Sequence, residues 1–356
     1  MTCGRLVVPP DADLPTFLVS DGRLGAKPEL PVSILTLKEL STRYAEVHSN
    51  GALESNSLYT VEIHLRHFRR SLGDRFAVAR LKQVDLQTHI GKRAKEKGIR
   101  NRKVSPVTLR KEIGSFRAVW NWSVRAGLLA GSFPDKGLVF PKTDEKPPFQ
   151  TWEEVERQVA GGKLSPAEEQ GFWDCVFLTV SQIQELLDHV KALPLPPFAY
   201  PMFCFAAYTG ARRSEILRSR VADVDFAGQR VLIREKKRRR GHRTNRHAPL
   251  SPPLAASLTD WLTQHPGGAE TFTQETVPIS PVDAIDVFRL AVQGSKWAKL
   301  RGWHVFRHSF ASNCAAKGID QRLIDAWMGH QTEEMRKRYR HLIPNQEQAA
   351  ILTVFG

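Results

Sequence analysis

Apolar residues recur at helical spacing through the first third of the chain. Leu37, Leu40, Tyr44 and Val47 fall on one face of a helix. The same spacing continues further on, and helices are predicted from Thr36 onward and over 58–72, 84–97 and 106–125. Residues 34–130 are therefore predicted to form an all-helical domain. The Pro- and Gly-rich residues 1–33 before it are expected to be a flexible N-terminal arm.

The pattern changes after residue 130. Residues 131–172 contain several prolines and the Gly161-Gly162 pair, which predicts a linker with one short helix near 153–159. From Thr179 a capped helix is predicted, and the apolar run 201–208 predicts a buried helix. Segments 230–234 and 246–250 read as a β-hairpin, and helix returns after it. Residues 173–356 are thus predicted to form a second, α+β domain.

The charge of the chain narrows the choice of partner. Lys and Arg number 52 against 37 Asp and Glu, a formal net charge of +15 at pH 7, which favours a polyanion such as nucleic acid. A basic protein without such a partner is the alternative. Four scattered cysteines predict neither a disulfide framework nor a zinc site. With no signal peptide and no apolar run of membrane-spanning length, a soluble, cytoplasmic protein is expected, associated with the nucleoid if the source is bacterial.

Basic residues cluster in two places that suit a phosphate backbone. The hairpin tip carries Arg238, Arg239, Arg240, Arg243 and Arg246, with Glu235 as the opposing acid. On the helical domain the candidates for DNA contact are Arg69, Arg110 and Arg117. Solvated helix faces and disordered basic loops have the same composition, so either cluster alone leaves those alternatives open.

Four short motifs carry candidate chemistry. In Thr209-Gly210-x-Arg212-x-x-Glu215 the glycine allows close backbone approach, and a planar guanidinium can grip two phosphate oxygens. His304 and Arg307 share one helical face, and His330 follows Gly329 at a predicted helix end. Tyr339 lies in a basic stretch, which is unusual for a core tyrosine. Taken singly, a surface ion pair, a structural His and Arg, and a core tyrosine explain these motifs equally well.

In this order, Arg212, a hairpin lysine, His304-x-x-Arg307, Gly329-His330 and Tyr339 resemble the tyrosine recombinase, or phage integrase, family. The 24-residue step from Arg212 to Lys236 and the nine-residue step from His330 to Tyr339 are similar to the family's spacings. The resemblance implies a helical core-binding domain and a catalytic domain that form a C-shaped clamp on double-stranded DNA. It also implies a homotetramer that acts on two DNA sites and recombines the DNA of a mobile element. No membrane partner, small-molecule cofactor, ATP or metal is expected.

The resemblance also implies a role for each residue. Tyr339 attacks the phosphodiester to give a 3′-phosphotyrosyl link, and Arg212 and Arg307 hold the phosphate oxygens. Lys236 is the general acid, with Lys237 as the alternative because a one-residue slip would turn it inward. His304 helps to remove the tyrosine proton, and His330 donates to the phosphate. Two other functions stay open: a type IB topoisomerase, and a DNA-binding factor without catalysis.

Overall fold

The computed structural model describes residues 35–51, 53–98, 103–142, 147–162, 164–239 and 242–329, together with Arg338 and Leu342. For Ser55, 236–239 and 242–244 it describes the backbone alone. The expected arm, residues 1–33, lies outside these ranges. The chain divides into two compact units, Met1–Asp144 and Glu145–Gly356, so the division falls inside the segment 131–172 that was predicted to be a linker.

The first unit is built from helices whose ends follow local capping chemistry. Its helices are α1 (Leu37–Ser49), α2 (Ser55–Leu72), α3 (Gln83–Lys95) and α4 (Pro106–Arg125). Thr36 caps α1 through a reciprocal pair of hydrogen bonds with Glu39. Ser105 caps α4, and Pro106 occupies its first turn, where a missing N–H costs nothing. These helices confirm the helical pattern predicted from the apolar spacing.

The core of the first unit is aliphatic and aromatic. Leu37, Leu40, Phe68, Phe116 and Trp120 are buried in it and join α1, α2 and α4. Burying such side chains contributes about 1.5–3 kcal/mol each, measured against leaving them exposed. The apolar faces predicted for these helices therefore account for how they pack, except at Val47, which is 54% exposed.

The second unit mixes helices with two small antiparallel sheets. Its helices are α5 (Trp152–Ala160), α6 (Pro166–Trp173), α7 (Val180–Ala192), α8 (Ala199–Thr209), α9 (Arg213–Ile216), α10 (Pro252–Thr263), α11 (Pro281–Val292), α12 (His304–Ala316) and α13 (Gln321–Met328). Its strands are β1 (Val224–Asp225), β2 (Arg230–Arg239), β3 (His242–Pro249), β4 (Thr273–Gln274) and β5 (Val277–Pro278). The mainly helical class with a small hairpin sheet is confirmed.

The larger sheet has the strand order β1-β2-β3, and β2 and β3 form the predicted hairpin. Arg234 pairs with Asn245, and Arg238 pairs with Arg243. Between these pairs β2 advances four residues while β3 advances two, so a bulge lies in β2 at residues 235–237. The regular alternation of side chains between the two faces is interrupted at that point.

The segment predicted as a linker contributes more structure than expected. The short helix predicted near 153–159 is present as α5, and α6 follows it. Trp152, Val155 and Trp173 are buried in the core of the second unit. Residues from about 149 onward therefore belong to that unit, because their large apolar side chains are packed there rather than exposed along a connection.

Two helices of this core carry the site. Helix α8 is buried on nearly all sides, as its continuous apolar run predicted. Phe203 of α8 packs against Phe306 of α12, with ring centroids 5.6 Å apart. Phe149, Ile324 and Met328 form a smaller apolar cluster beneath α12 and α13. Among the described residues, no helix is long and apolar enough to cross a membrane.

Candidate active site

The turn after α8 brings distant segments together. Gly210 has a φ of +61°, a left-handed conformation that favours glycine, and a Cβ there would lie 2.6 Å from the Met328 sulfur. The Gly210 carbonyl accepts a hydrogen bond of 2.9 Å from Nη1 of Arg307. The glycine thus permits close approach by Met328 of α13 and Phe310 of α12.

Arg212 follows this turn and precedes the short helix α9. Its side chain is 40% exposed, and its Nη1 donates to Oε1 of Glu215 at 2.7 Å. The Arg212 backbone N–H donates to the other carboxylate oxygen at 2.8 Å. Glu215 itself is 3% exposed. The predicted pairing on one face is present, and a buried carboxylate holds an arginine that still reaches solvent.

Arg307 lies on α12 and is 2% exposed, one of the largest fully buried side chains described. Its guanidinium donates to the carbonyls of Gly210 and Met328. These bonds satisfy carbonyls at the ends of α8 and α13, which have no partner within their own helices. The inward direction was not evident from helical spacing, which placed Phe306 on the packing face. The charge of Arg307 is therefore fixed between two helix ends.

His304 lies one turn before Arg307 on the same helix. The imidazole keeps an exposed surface, but protein atoms crowd its other sides and remove water from the protonated form. This burial, with the positive charges of Arg307 and Arg212, lowers the pKa of His304 to about 4. The imidazole is consequently neutral at pH 7 and able to accept a proton or a hydrogen bond.

Arg246 of the hairpin lies inside the protein. It was expected to contact DNA, but it is 8% exposed and its guanidinium is committed within the protein. Nη2 donates to Glu215 at 2.7 Å, Nη1 donates to Glu235 at 2.9 Å, and Nε donates to the Trp327 carbonyl at 2.6 Å. An unpaired buried charge is costly, so these acceptors explain why the residue lies inside.

Glu215 and Glu235 are members of the site that sequence reasoning did not assign. Burial raises the pKa of Glu215, but hydrogen bonding to Arg246, the charge of Arg246 and contacts with Arg212 lower it to about 2. The carboxylate therefore stays ionised. Glu235 is the acidic residue in the basic stretch of the hairpin tip. That position in the sequence was the signal that it has a specific basic partner.

Several predicted site residues lie outside what the structure describes. Three of them, His330, Tyr339 and Arg240, lie outside the described residues. The structure describes only the backbone of Lys236, Lys237, Arg238, Arg239 and Arg243. The bulge at 235–237 contains both candidate lysines, so their order along a regular strand does not choose between them. Those side chains remain predictions.

Arg338, the residue before Tyr339, is described. Its guanidinium lies 3.7 Å from the centre of the Phe149 ring, and it donates to the Pro147 carbonyl at 3.3 Å. Its charge also contributes to the lowered pKa of His304. The chain next to the expected nucleophile is therefore electrostatically linked to the histidine on α12.

The arginines predicted to contact DNA from the first unit all have partners inside that unit. Arg69 donates to Asp74 at 2.7 and 2.9 Å. Arg117 pairs with Asp135, and the Arg110 guanidinium lies 4.9 Å from the centre of the Phe140 ring. Solvent screens surface ion pairs of this kind, so they exchange readily, and contact with DNA stays a prediction for these three residues.

The described arrangement suits an anionic substrate. A buried carboxylate holds the partly exposed Arg212, and backbone carbonyls hold the buried Arg307. The neutral imidazole of His304 is close enough for the charges of both arginines to lower its pKa. Fixed donors of this kind can stabilise negative charge without reorganising. Within residues 35–329 as described, no group of three or more His, Cys, Asp or Glu side chains could hold a metal ion.

Residues 176–346 match the model of the phage integrase family. The integrase of Escherichia phage 186 is 26% identical over 327 residues, covering 89% of this chain and 80% of that protein. A tyrosine recombinase of Pseudothermotoga lettingae is 26% identical over 176 residues, which is 49% of this chain and 59% of that protein's length. The range matched by the family model contains Arg212, Arg246, His304 and Arg307.

Solved structures show the same fold. The integrase of transposon Tn1549, in complex with transposon right end DNA, has a TM-score of 0.63 at 17% identity and covers 90% of this chain and 100% of that one. A lambda integrase dimer bound to a core site has a TM-score of 0.59 at 13% identity and covers 86% and 95% of the two chains. The two-part fold is thus shared despite low identity.

Proposed function

Since this chain belongs to the phage integrase, or tyrosine recombinase, family, we propose that it is a site-specific recombinase of a mobile element. It cleaves and rejoins double-stranded DNA through a 3′-phosphotyrosyl intermediate. The observation that carries the proposal is the convergence of Arg212, His304 and Arg307. Gly210 and Arg307 are 97 residues apart and hydrogen bonded, and the charges of both arginines act on His304.

In the cleavage step the Tyr339 oxygen forms a bond to phosphorus while the bond from phosphorus to the 5′ oxygen breaks. Neutral His304 helps to take the tyrosine proton, and Lys236, or its neighbour Lys237, donates a proton to the departing 5′ oxygen. Arg212 holds the non-bridging oxygens, the fixed charge of Arg307 stabilises the negative charge on them, and His330 is a further donor. One phosphoester replaces another, so the energy for rejoining is retained without ATP.

The basic setting supports this chemistry. A tyrosine has a pKa near 10 and is a weak nucleophile at neutral pH, so nearby positive charge is needed to favour its phenolate. Exchange between two duplex sites requires four strand cleavages, and each subunit offers one Tyr339. We therefore also propose a homotetramer on two DNA sites.

The test uses nicked duplexes taken from the DNA that flanks this gene, centred on any inverted repeat. Cleavage beside the nick releases a short fragment and traps a covalent adduct that survives denaturation. The wild-type chain is expected to form this adduct, Tyr339→Phe is expected to lose it, and the exposed control Tyr59→Phe is expected to retain it.

Two outcomes contradict the proposal. No adduct on any flanking duplex, despite tight binding, favours a DNA-binding factor without catalysis. Adducts on every duplex regardless of sequence, together with relaxation of supercoiled plasmid, favour a type IB topoisomerase.

A further inference from the structure

The Arg246 guanidinium joins three parts of the second unit that are distant in sequence. It lies on β3 and bonds to Glu215 of α9, Glu235 of β2 and the Trp327 carbonyl of α13. We infer that Arg246 is a positioning residue for the proposed reaction, aligning the phosphate-binding arginine, the lysine strand and the helix end before His330. This inference rests on the proposed function and adds a role to a residue expected to contact DNA.

The first link runs to Arg212. Glu215 accepts from Nη1 and Nη2 of Arg246 at 3.3 and 2.7 Å, and from Nη1 of Arg212 at 2.7 Å. Because Glu215 is almost fully buried, its carboxylate has few other positions in which both arginines remain satisfied. The orientation of Arg212 toward solvent thus depends on Arg246 at the opposite side of the carboxylate.

The second link runs to the lysine strand and the chain before His330. Glu235 directly precedes Lys236 and accepts from Nη1 of Arg246 at 2.9 Å. Gly329 has a φ of +62°, and a Cβ there would lie 2.4 Å from the Glu235 carboxylate and 3.5 Å from Arg246. The Arg246–Glu235 pair therefore packs directly against the backbone that leads into His330.

A merely structural role has to be separated from positioning. Arg234 offers a matched control because it lies on the same hairpin and pairs with Asp223 through two hydrogen bonds. Asp223 is buried, as Glu215 is. Arg234 has no described bond to Glu215 or to α13, so losing it loosens the hairpin without removing any of the bonds that Arg246 makes.

The experiment measures single-turnover cleavage of the nicked duplex by the full chain carrying Arg246→Met, Arg246→Lys or Arg234→Met. DNA affinity is measured for each in the Tyr339→Phe background. Arg246→Met is expected to cleave about 100-fold more slowly at little-changed DNA affinity, since small misplacements of reacting groups have effects of this size. Arg246→Lys is expected to recover part of the rate, and Arg234→Met to stay near wild type.

A second substrate tests the link to the lysine strand. Replacing the 5′ bridging oxygen with sulfur gives a thiolate leaving group that needs no proton. On this substrate the deficit of Arg246→Met is expected to shrink, whereas that of Arg212→Met is expected to persist, because Arg212 acts on the phosphate oxygens. A deficit of equal size on both substrates overturns the inference.

Three further outcomes test the inference and separate it from the proposed function. Equal losses in Arg234→Met and Arg246→Met mean that Arg246 only holds the hairpin, and the inference fails. If wild type forms an adduct and Arg246→Met cleaves at the wild-type rate, the inference fails while the proposed function stands. If wild type forms no adduct at all, the proposed function fails first.

Discussion

Each unit of this protein buries a glutamate beside basic side chains, yet the surroundings of the two carboxylates differ. Glu112 of the first unit is 1% exposed and Glu215 of the second is 3% exposed. Burial opposes ionisation in both, and hydrogen bonds from basic partners lower the pKa of each to about 2. The same electrostatic arrangement therefore occurs twice.

The difference lies in the partners. Glu112 accepts from His89 at 3.1 Å and from Arg93 at 2.7 Å, and both partners are buried. These bonds join α3 to α4 inside the helical unit. Glu215 shares its carboxylate between buried Arg246 and partly exposed Arg212. Partly exposed His67 lies 4.0 Å from Glu112, beyond hydrogen-bonding distance. The difference is thus that a hydrogen-bonded partner of Glu215 reaches solvent, whereas the hydrogen-bonded partners of Glu112 are buried.

The largest effect on stability is expected at Glu112 and its buried partners. Glu112→Gln removes the fully buried charge that pairs with Arg93 and leaves Arg93 with Glu96, which is partly exposed. Breaking a buried pair in this way costs up to about 3–5 kcal/mol. Hydrogen exchange of peptides from α2 to α4 reports this loss for the first unit separately. Exposed Glu46→Gln on α1 is the control. A loss no larger than that of the control removes the structural assignment of Glu112.

A smaller loss of stability is expected at Glu215, which pairs with buried Arg246 and partly exposed Arg212. Glu215→Gln leaves Arg246 with Glu235 and leaves Arg212 free to turn to water, so about 1–3 kcal/mol is expected from the weakened charged hydrogen bonds. Cleavage of the nicked duplex is expected to fall at least about tenfold, because Arg212 loses its fixed orientation. Folded Glu112→Gln protein should cleave normally, and if it is as defective as Glu215→Gln the comparison does not hold.

The smallest effect is a pH dependence at His304. Above pH 6.5 its imidazole is neutral in both the folded and the unfolded chain. As the pH falls toward 4, the unfolded chain binds a proton first, because the folded pKa is lowered to about 4, and stability is lost. The two glutamates act in a lower window, since the stability they contribute is present above 4.5 and lost as the pH falls toward 2.

His304→Gln is accordingly expected to lose less stability than wild type as the pH falls from 6.5 to 4. The loss below pH 4.5, which comes from the glutamates, is expected to remain. Denaturant unfolding across this pH range, followed by hydrogen exchange in α12, provides the measurement. If the free energy of unfolding changes equally with pH in wild type and variant between pH 6.5 and 4, the pKa of His304 is not lowered in the folded protein.

The helices were largely predictable because their signals are local. Helix α4 begins at Pro106 and ends at Arg125, as its apolar spacing predicted. The cap at Thr179 and the left-handed Gly329 after α13 were predicted in the same way and are confirmed. Each signal depends on residues within one or two helical turns.

The buried charges were not predictable in this way. Arg246 lies in a run of basic residues, and nothing within that run distinguishes it from its neighbours. Its burial depends on Glu215, which is 31 residues away, and on the Trp327 carbonyl, which is 81 residues away. The bulge in β2 likewise depends on how the two strands pair rather than on the composition of either one.

By itself the sequence determined the helical elements, the basic character and the ordered set of residues that identified the family, because these depend on neighbouring residues and on spacing. Only the tertiary structure decided which charges face inward. Arg307 is held between the ends of α8 and α13, and Arg246 is enclosed, while Arg212 remains accessible. The physical reason is that the cost of burying a charge is offset by acceptors that only the folded chain brings within hydrogen-bonding distance.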